Sequence, residues 1–376
     1  MHIPFRTKQR LKKILQQILL PRVYQRQRIA KVKKGKIIFA DGHCDSVNAS
    51  MRDLYNRLKS MGYDPMDLCA NYNNMNNVAV GRHVINFMKE YATAEYVFIS
   101  DYFLPVASCK KRKDTKVIQL WHAGGMLKKM GYDAADDLKG EGKANPTKNY
   151  DLVTTSAPIC EKVWANAWHI SEDKVKALGI ARTDKYYNNK WNQKNINRFY
   201  KQYPEAKGKR ICIYAPSFEG NASKPYDTGL ESGILDVFKK LEDEWYVVVK
   251  LHPHMQAKYP QYNCCMSSEE LFAVADLLIT DYSSIIFDYM IYRKPFVLYA
   301  PRLEEYKRER GFYLDYESLP APVIKSTKEL YDCMNNGKWQ VDQDALVECF
   351  NTYMGACDGK SIDRILSACG LLKEEK

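Results

Sequence analysis

Three features of the sequence predict an α/β fold of two doubly wound, Rossmann-like domains facing a cleft. Short apolar runs recur, each followed by a stretch with helical spacing. They fall into two series, separated by a polar, Asn- and Lys-rich stretch at 183–208. Such alternation builds parallel sheets covered by helices, and two series build two such sheets. A length of 376 residues likewise suits two domains, each with its own core. The expected layout is a basic amphipathic segment over 1–35, an N-terminal domain over 36–190 and a C-terminal domain over 191–376, whose final helix packs back on the first domain.

The first series opens with the strand Lys36–Ala40, which runs into Asp41-Gly-His43, and the helix Ser50–Met61. Further strands are expected at Tyr96–Asp101, Lys116–His122, Asp151–Ser156 and Val175–Ile180, with a helix at Glu161–Trp168. The second series has strands at Arg210–Ser217 and Trp245–His252 around a helix at Leu230–Leu241. Leu277–Ile279 is then a buried-type strand, Ile285–Tyr292 a helix, and Phe296–Tyr299 a strand beyond Pro295. The tail is helical at Thr327–Met334 and Asp344–Leu372.

Composition narrows the function classes. With 45% hydrophobic and 27% charged residues the chain is globular. Eleven cysteines without a CxxC pair, in a chain this long, fit reduced thiols in a cytoplasm better than a disulfide framework. No apolar run is long enough to cross a bilayer. The net charge of +12 is local: residues 1–40 hold twelve Lys and Arg and no Asp or Glu, and the remaining 45 cations balance 45 anions. That concentration points to an anionic membrane surface and away from nucleic acid. Within it Ile14, Ile18 and Leu19 recur at helical spacing beside Lys12 and Lys13, the pattern of a helix lying in a membrane interface. The alternative is a helix packed on the protein's own body.

The chemistry is expected where strands end, because open α/β sheets bind ligands beyond their carboxyl edges. Thr280-Asp-Tyr-Ser-Ser284 joins a strand to a helix start, where free N–H groups, the helix dipole and the hydroxyls of Ser283 and Ser284 favour a phosphate. Asp281 repels an anion unless turned away or paired with a cation. His122, followed by Gly124, Gly125 and Lys128, and His252 in Lys250-Leu-His-Pro-His254 are imidazoles at strand ends, suited to general acid–base work. Ser217 leaves a strand in Ala-Pro-Ser-Phe, and Arg310 offers a guanidinium to phosphate. Each has a plain structural reading when taken singly. There is no GxxxxGK[ST], GxGxxG or GxSxG. No ligand cluster demands a metal; Asp281 and Asp288 are the residues that would hold a divalent cation.

Together these stretches resemble one family. Gln119-Leu-Trp-His-Ala-Gly-Gly-Met-Leu-Lys-Lys-Met-Gly131, Leu178–Asp184, Tyr214–Phe218, Leu251-His-Pro253, Ile279–Tyr289 and Arg310–Tyr313 follow one another in the order and spacing of the CDP-glycerol glycerophosphotransferases and their ribitol-phosphate relatives. The resemblance covers roughly residues 95–355. It implies a GT-B-like fold with an N-terminal acceptor domain and a C-terminal donor domain. The donor would be CDP-glycerol or CDP-ribitol and the acceptor a lipid-linked glycan, met at the cytoplasmic face of the membrane by a peripheral protein. Residue by residue, it implies that His122 deprotonates the acceptor hydroxyl and that Gly124, Gly125 and Lys128 lie on the acceptor side. His252 meets the pyrophosphate, Ser217, Asp281, Ser283 and Ser284 bind the donor, and Arg310 stabilises departing CMP. Two departures stand out: Trp-His-Ala-Gly-Gly replaces the family's frequent Trp-His-Gly-Thr-Pro, and Glu219 stands where a basic residue often follows the Ala-Pro-Ser-aromatic turn. The competing readings are a GT-B glycosyltransferase using a nucleotide sugar, and a non-catalytic binder that works through residues 1–40.

Overall fold

The computed structural model describes residues 14–134, 138, 145–217, 219–221, 224–227, 230, 233–251, 255, 258–262 and 264–372. Lys12, Lys13 and His252 therefore lie outside the described residues. The chain divides into two compact units. One takes the described residues up to His122, those of Met130–Arg182 and those from Lys360 onward; the other takes Ala123–Lys129 and Thr183–Gly359.

The first unit is built on a six-stranded parallel sheet. Its strands are β1 (Ile37–Asp41), β2 (Met66–Cys69), β3 (Tyr96–Ile99), β4 (Lys116–Gln119), β5 (Leu152–Thr154) and β6 (Val175–Lys176), in the order β2-β1-β3-β4-β5-β6. Helices α1 (Leu20–Gln27), α2 (Ala49–Ser60), α3 (Asn77–Tyr91) and α4 (Pro158–Trp168) flank it. All five residues of β1 are buried, as a strand covered on both faces requires. Side chains start the helices: Asn48 Oδ1 accepts from Ser50 N at the head of α2, and Asn76 Oδ1 from Ala79 N at the head of α3. The core joins Ile37, Phe39, Leu54 and Phe98 to Ile365 and Leu366 of the last helix, Ser361–Ala368. β2 and α3 are additions to the expected series. β2 is an edge strand of four residues of which only Cys69 is buried, too short to register as an apolar run.

A π-helical turn, Leu15–Leu19, leads into α1. Leu20 and Tyr24 are buried, and the Tyr24 ring lies 5.2 Å from that of Tyr91 in α3. Ile14, Ile18 and Leu19 remain 51%, 43% and 42% exposed, so one face packs on the unit and another stays apolar and open.

The second unit carries a five-stranded parallel sheet of β7 (Arg210–Ala215), β10 (Trp245–Val249), β11 (Leu277–Thr280), β12 (Phe296–Tyr299) and β13 (Val323–Ile324), in the order β10-β7-β11-β12-β13. A hairpin of β8 (Glu219–Asn221) and β9 (Lys224–Asp227) follows β7 and places Glu219 in a strand. Helices α5 (Asn189–Gln202), α6 (Ile234–Lys240), α7 (Ile285–Met290), α8 (Leu303–Glu309), α9 (Thr327–Asn335) and α10 (Gln343–Met354) complete it. The helix expected over 344–372 is two helices, because the chain turns through Gly355 and Gly359, the latter at φ +87°.

Six strands end sooner than their apolar runs suggest, among them β3 at Ile99, β5 at Thr154 and β6 at Lys176. β4 stops at Gln119, β7 at Ala215 and β10 at Val249, so His122 and Ser217 sit on loops beyond the sheets.

Candidate active site

Both sheets have the same doubly wound order, in which the second strand lies to one side of the first and the third to the other. The direction in which strands are added thus reverses between β1 and β3 in the first unit and between β7 and β11 in the second. At such a switch point the loops part and leave a crevice outside the carboxyl ends, the usual ligand site of open α/β sheets. The candidate residues cluster at these two places.

In the first unit Asp41 ends β1 and Ser100 follows β3. Buried Asp41 accepts from His43 N at 2.6 Å through Oδ1, and from Asn48 Nδ2 at 3.0 Å and Ser100 Oγ at 3.4 Å through Oδ2. Burial pushes its carboxyl above the ordinary carboxylate range, against the pull of the His43 N–H. Asn48 Nδ2 also donates to Ser100 Oγ at 2.8 Å, so the end of β3 is held by side chains from the loop after β1. His122 arrives beyond β4, its Nδ1 3.0 Å from the Ser100 carbonyl oxygen. A carbonyl only accepts, so this contact requires the proton on Nδ1, and in the neutral ring Nε2 then carries the lone pair. The preceding Trp121 is left-handed at φ 56°, a conformation that costs an L-residue about 1–2 kcal/mol. Its ring repays that by lodging among Tyr102, Trp164 and Trp168, with centroids 5.3, 5.8 and 4.9 Å away.

In the second unit Ser217 follows β7 and Asp281 follows β11. Both carboxylate oxygens of Asp281 lie 2.9 Å from Ser217 N and accept from it. Asp281 is thus turned onto the protein's own backbone, the arrangement that relieves its repulsion of an anion. Burial raises its pKa, while the Ser217 donors and the Lys128 charge pull it down. Thr280 Oγ1 donates to Ala215 O at 2.6 Å, and Tyr316 Oη donates to Asp281 O at 3.1 Å, pinning the turn from both sides. Tyr282, Tyr306, Phe312 and Tyr316 form a column behind it, with successive ring centroids 3.9, 5.3 and 4.8 Å apart. The hydroxyls of the turn do little for α7 itself. Ser284 makes no side-chain cap bond, and Ser283 Oγ only meets Ile285 N at 3.4 Å.

Residues Ala123–Lys129, which directly follow His122, belong to the second unit. Lys128 bridges Phe312 in antiparallel fashion, Lys129 N donates to Gly311 O at 3.1 Å, and Tyr313 N donates to Leu127 O at 2.9 Å. Arg310 Nε donates to Lys129 O at 2.8 Å. Gly124 and Gly125 let this segment lie flat on the unit: a Cβ at Gly125 would stand 2.3 Å from the Phe287 ring. Lys128, Arg310, Ser217 and the 281–284 turn are therefore parts of one connected surface, rich in N–H donors, hydroxyls and cations. That is the composition a pyrophosphate requires. Sequence reasoning passed over Gln119, Ser100 and Asp41. The signal for Gln119 was a lone amide inside the apolar run Val117–Trp121. Among the described residues no group of three or more His, Cys, Asp or Glu is placed to hold a metal ion, and Asp288 is buried within α7.

Two parallel-sheet units in succession, each doubly wound, define a GT-B-like fold. The particular family follows from comparison: residues 22–369 match the model of the CDP-glycerol:poly(glycerophosphate) glycerophosphotransferases, and the chain belongs to that family of phosphotransferases. A teichoic acid ribitol-phosphate primase of Bacillus spizizenii is 32% identical over 355 residues, covering 89% of this chain and 90% of that protein. A teichoic acid glycerol-phosphate primase of Bacillus subtilis is 30% identical over 63% of this chain and 64% of its own length. The solved structure of the wall teichoic acid polymerase TagF has the same fold, with a TM-score of 0.73 at 18% identity, covering 97% of this chain and 96% of that one.

Proposed function

We propose that this chain is a priming enzyme that moves ribitol phosphate from CDP-ribitol to a membrane-linked glycan or polyol-phosphate acceptor and releases CMP. As a family member it transfers an alditol phosphate from a CDP-alditol donor in teichoic acid synthesis. The observation that carries the narrower reading is the primase likeness, which spans nearly the whole of both chains. The chain spans 58% of the ribitol-phosphate polymerase of the same organism. A glycerol-phosphate primase reading rests on the Bacillus subtilis relative and shares every step below.

In this reading the acceptor hydroxyl gives its proton to Nε2 of His122 as its oxygen attacks the β-phosphorus of the CDP-alditol in line. The bond to the bridging oxygen breaks, and CMP leaves with the electron pair. Ser283, Ser284, the backbone held by Asp281 around Ser217, and Arg310 bind the pyrophosphate and take up the charge that develops on it, joined by Lys128, which was expected on the acceptor side but belongs to the second unit. His252 assists there, and Gly124 and Gly125 shape the acceptor side. Such a reaction is governed by positioning and charge stabilisation. The unit that holds His122 and Met130–Arg182 takes the acceptor, and the unit of Ala123–Lys129 and Thr183–Gly359 takes the donor, a boundary shifted from the expected 36–190 and 191–376. Residues 1–35 dock the protein on the cytoplasmic face of the membrane, supported by the open Ile14, Ile18 and Leu19 and the surrounding cations. No helix among the described residues is long and apolar enough to cross a membrane.

The test is incubation with CDP-ribitol or CDP-glycerol and a lipid-linked disaccharide carrying glycerol phosphate, with mass analysis of the lipid product. Addition of one or a few ribitol phosphates supports the proposal. Glycerol phosphate addition selects the second reading, and long chains exclude a primase.

A further inference from the structure

We infer that Gln119 is a positioning residue for His122, holding the imidazole in the tautomer that leaves Nε2 as the base; this rests on the reading of His122 given above. Gln119 is the last residue of β4, and its side chain is completely buried. Its Oε1 accepts from Trp121 N at 2.9 Å. Its Nε2 donates to Asp101 O at 3.0 Å and to Tyr150 Oη at 3.1 Å. Asp101 directly follows Ser100, whose carbonyl receives His122 Nδ1. One amide therefore grips the chain on both sides of the imidazole: the residue before His122, and the residue after the carbonyl that His122 touches.

The geometry explains why an amide stands here. Pairing of β3 with β4 ends at Ile99 and Gln119. Beyond that point Trp121 turns left-handed, and the ladder stops. The Gln119 side chain bridges the gap as a substitute peptide group, offering a donor and an acceptor in one plane. Asn is a methylene shorter. Glu keeps the acceptor, loses the donor and sets a carboxylate against the Asp101 carbonyl. Met keeps the length and loses both. With the bridge gone, Trp121 and Asp101 lose the partner that fixes their separation, and the Ser100 carbonyl no longer selects the Nδ1 proton. Ser100 is also held through its hydroxyl by Asn48. The loss thus falls on the orientation of His122 more than on the fold of β3.

The experiment uses the full chain labelled with 15N-histidine, read by long-range 1H–15N correlation, with the His122 signal assigned by its disappearance in His122→Asn. The wild type is expected to show Nδ1 protonated and Nε2 bare in its neutral form. In Gln119→Met and Gln119→Glu that tautomer is expected to lose its dominance. CMP release from CDP-ribitol should fall about 10²-fold in kcat, the order expected of a misplaced catalytic group. KM for the donor should stay unchanged. A wild-type His122 carrying its proton on Nε2 would overturn the inference without any variant. So would an unchanged tautomer in both folded variants, whatever their kcat, because Gln119 would then act on the fold alone. Undiminished CMP release by His122→Asn, with the tautomer as expected, would instead remove His122 as the base and take the catalytic meaning of Gln119 with it.

Discussion

Gly125→Ala tests how the segment after His122 is built into the second unit. The backbone at Gly125 has φ +65°, and an added Cβ would stand 2.3, 2.4 and 2.5 Å from three atoms of the Phe287 ring. A left-handed L-residue costs about 1–2 kcal/mol. Overpacking against a ring held in α7 adds about 1–3 kcal/mol. The combined cost of about 2–5 kcal/mol is a large share of a typical domain's stability. Gly124→Ala is the internal control. Its Cβ meets the Sδ and Cε of Met354, the far end of a flexible side chain, and its φ is not positive. A cost below about 1 kcal/mol is expected there, since Met adapts readily. The assay is hydrogen exchange at Lys129 and Tyr313, whose amides bond to Gly311 O and Leu127 O. A penalty of 2 kcal/mol or more speeds their exchange by about 30-fold or more in Gly125→Ala. CMP release should fall with it. Equal protection in the two variants would refute the packing argument, as would wild-type exchange in Gly125→Ala.

Asp281 should leave a signature in pH dependence. Its folded pKa lies above the ordinary value of 3.8, so the folded state holds the proton more tightly. The stability that Asp281 contributes therefore falls as pH rises from that value through the raised one. In urea midpoints taken across that range, Asp281→Asn should shift the slope relative to wild type by removing this contribution, while weakening the Ser217 turn and CMP release. Tyr316→Phe removes the bond to Asp281 O and should cost about 1 kcal/mol in urea unfolding, with the aromatic column intact. Ile18→Glu, on the open apolar face, should lower flotation with anionic vesicles about tenfold or more, in line with the cost of placing a charge where an apolar group inserts; unchanged flotation would count against membrane docking.

Much of the fold was legible because parallel strands are buried on both faces. The runs at Ile37–Asp41, Tyr96–Ile99, Arg210–Ala215 and Leu277–Thr280 stand out as apolar blocks wherever they fall in the chain. Their ends were less visible. Leu120 and Trp121 continue the apolar run of β4, and only a buried amide and a left-handed backbone stop the strand at Gln119. Strand order was not written locally either, since it is set by which helices cover which face. The candidate site was legible in its residue types and in its place beyond the strand ends. Its wiring was not. That Asp281 faces Ser217, and that Lys128 pairs with the chain at Phe312, are facts of long-range geometry with no periodic signature.

Acceptor-dependent CMP release tests the central claim most directly. Purified protein is offered CDP-ribitol or CDP-glycerol with and without a lipid-linked acceptor, beside His122→Asn and Arg310→Ala. The account predicts CMP release that requires the acceptor, falls by orders of magnitude in His122→Asn, and shows a raised KM for the donor in Arg310→Ala. No CMP from either donor, with the acceptor present and the protein folded, would contradict it.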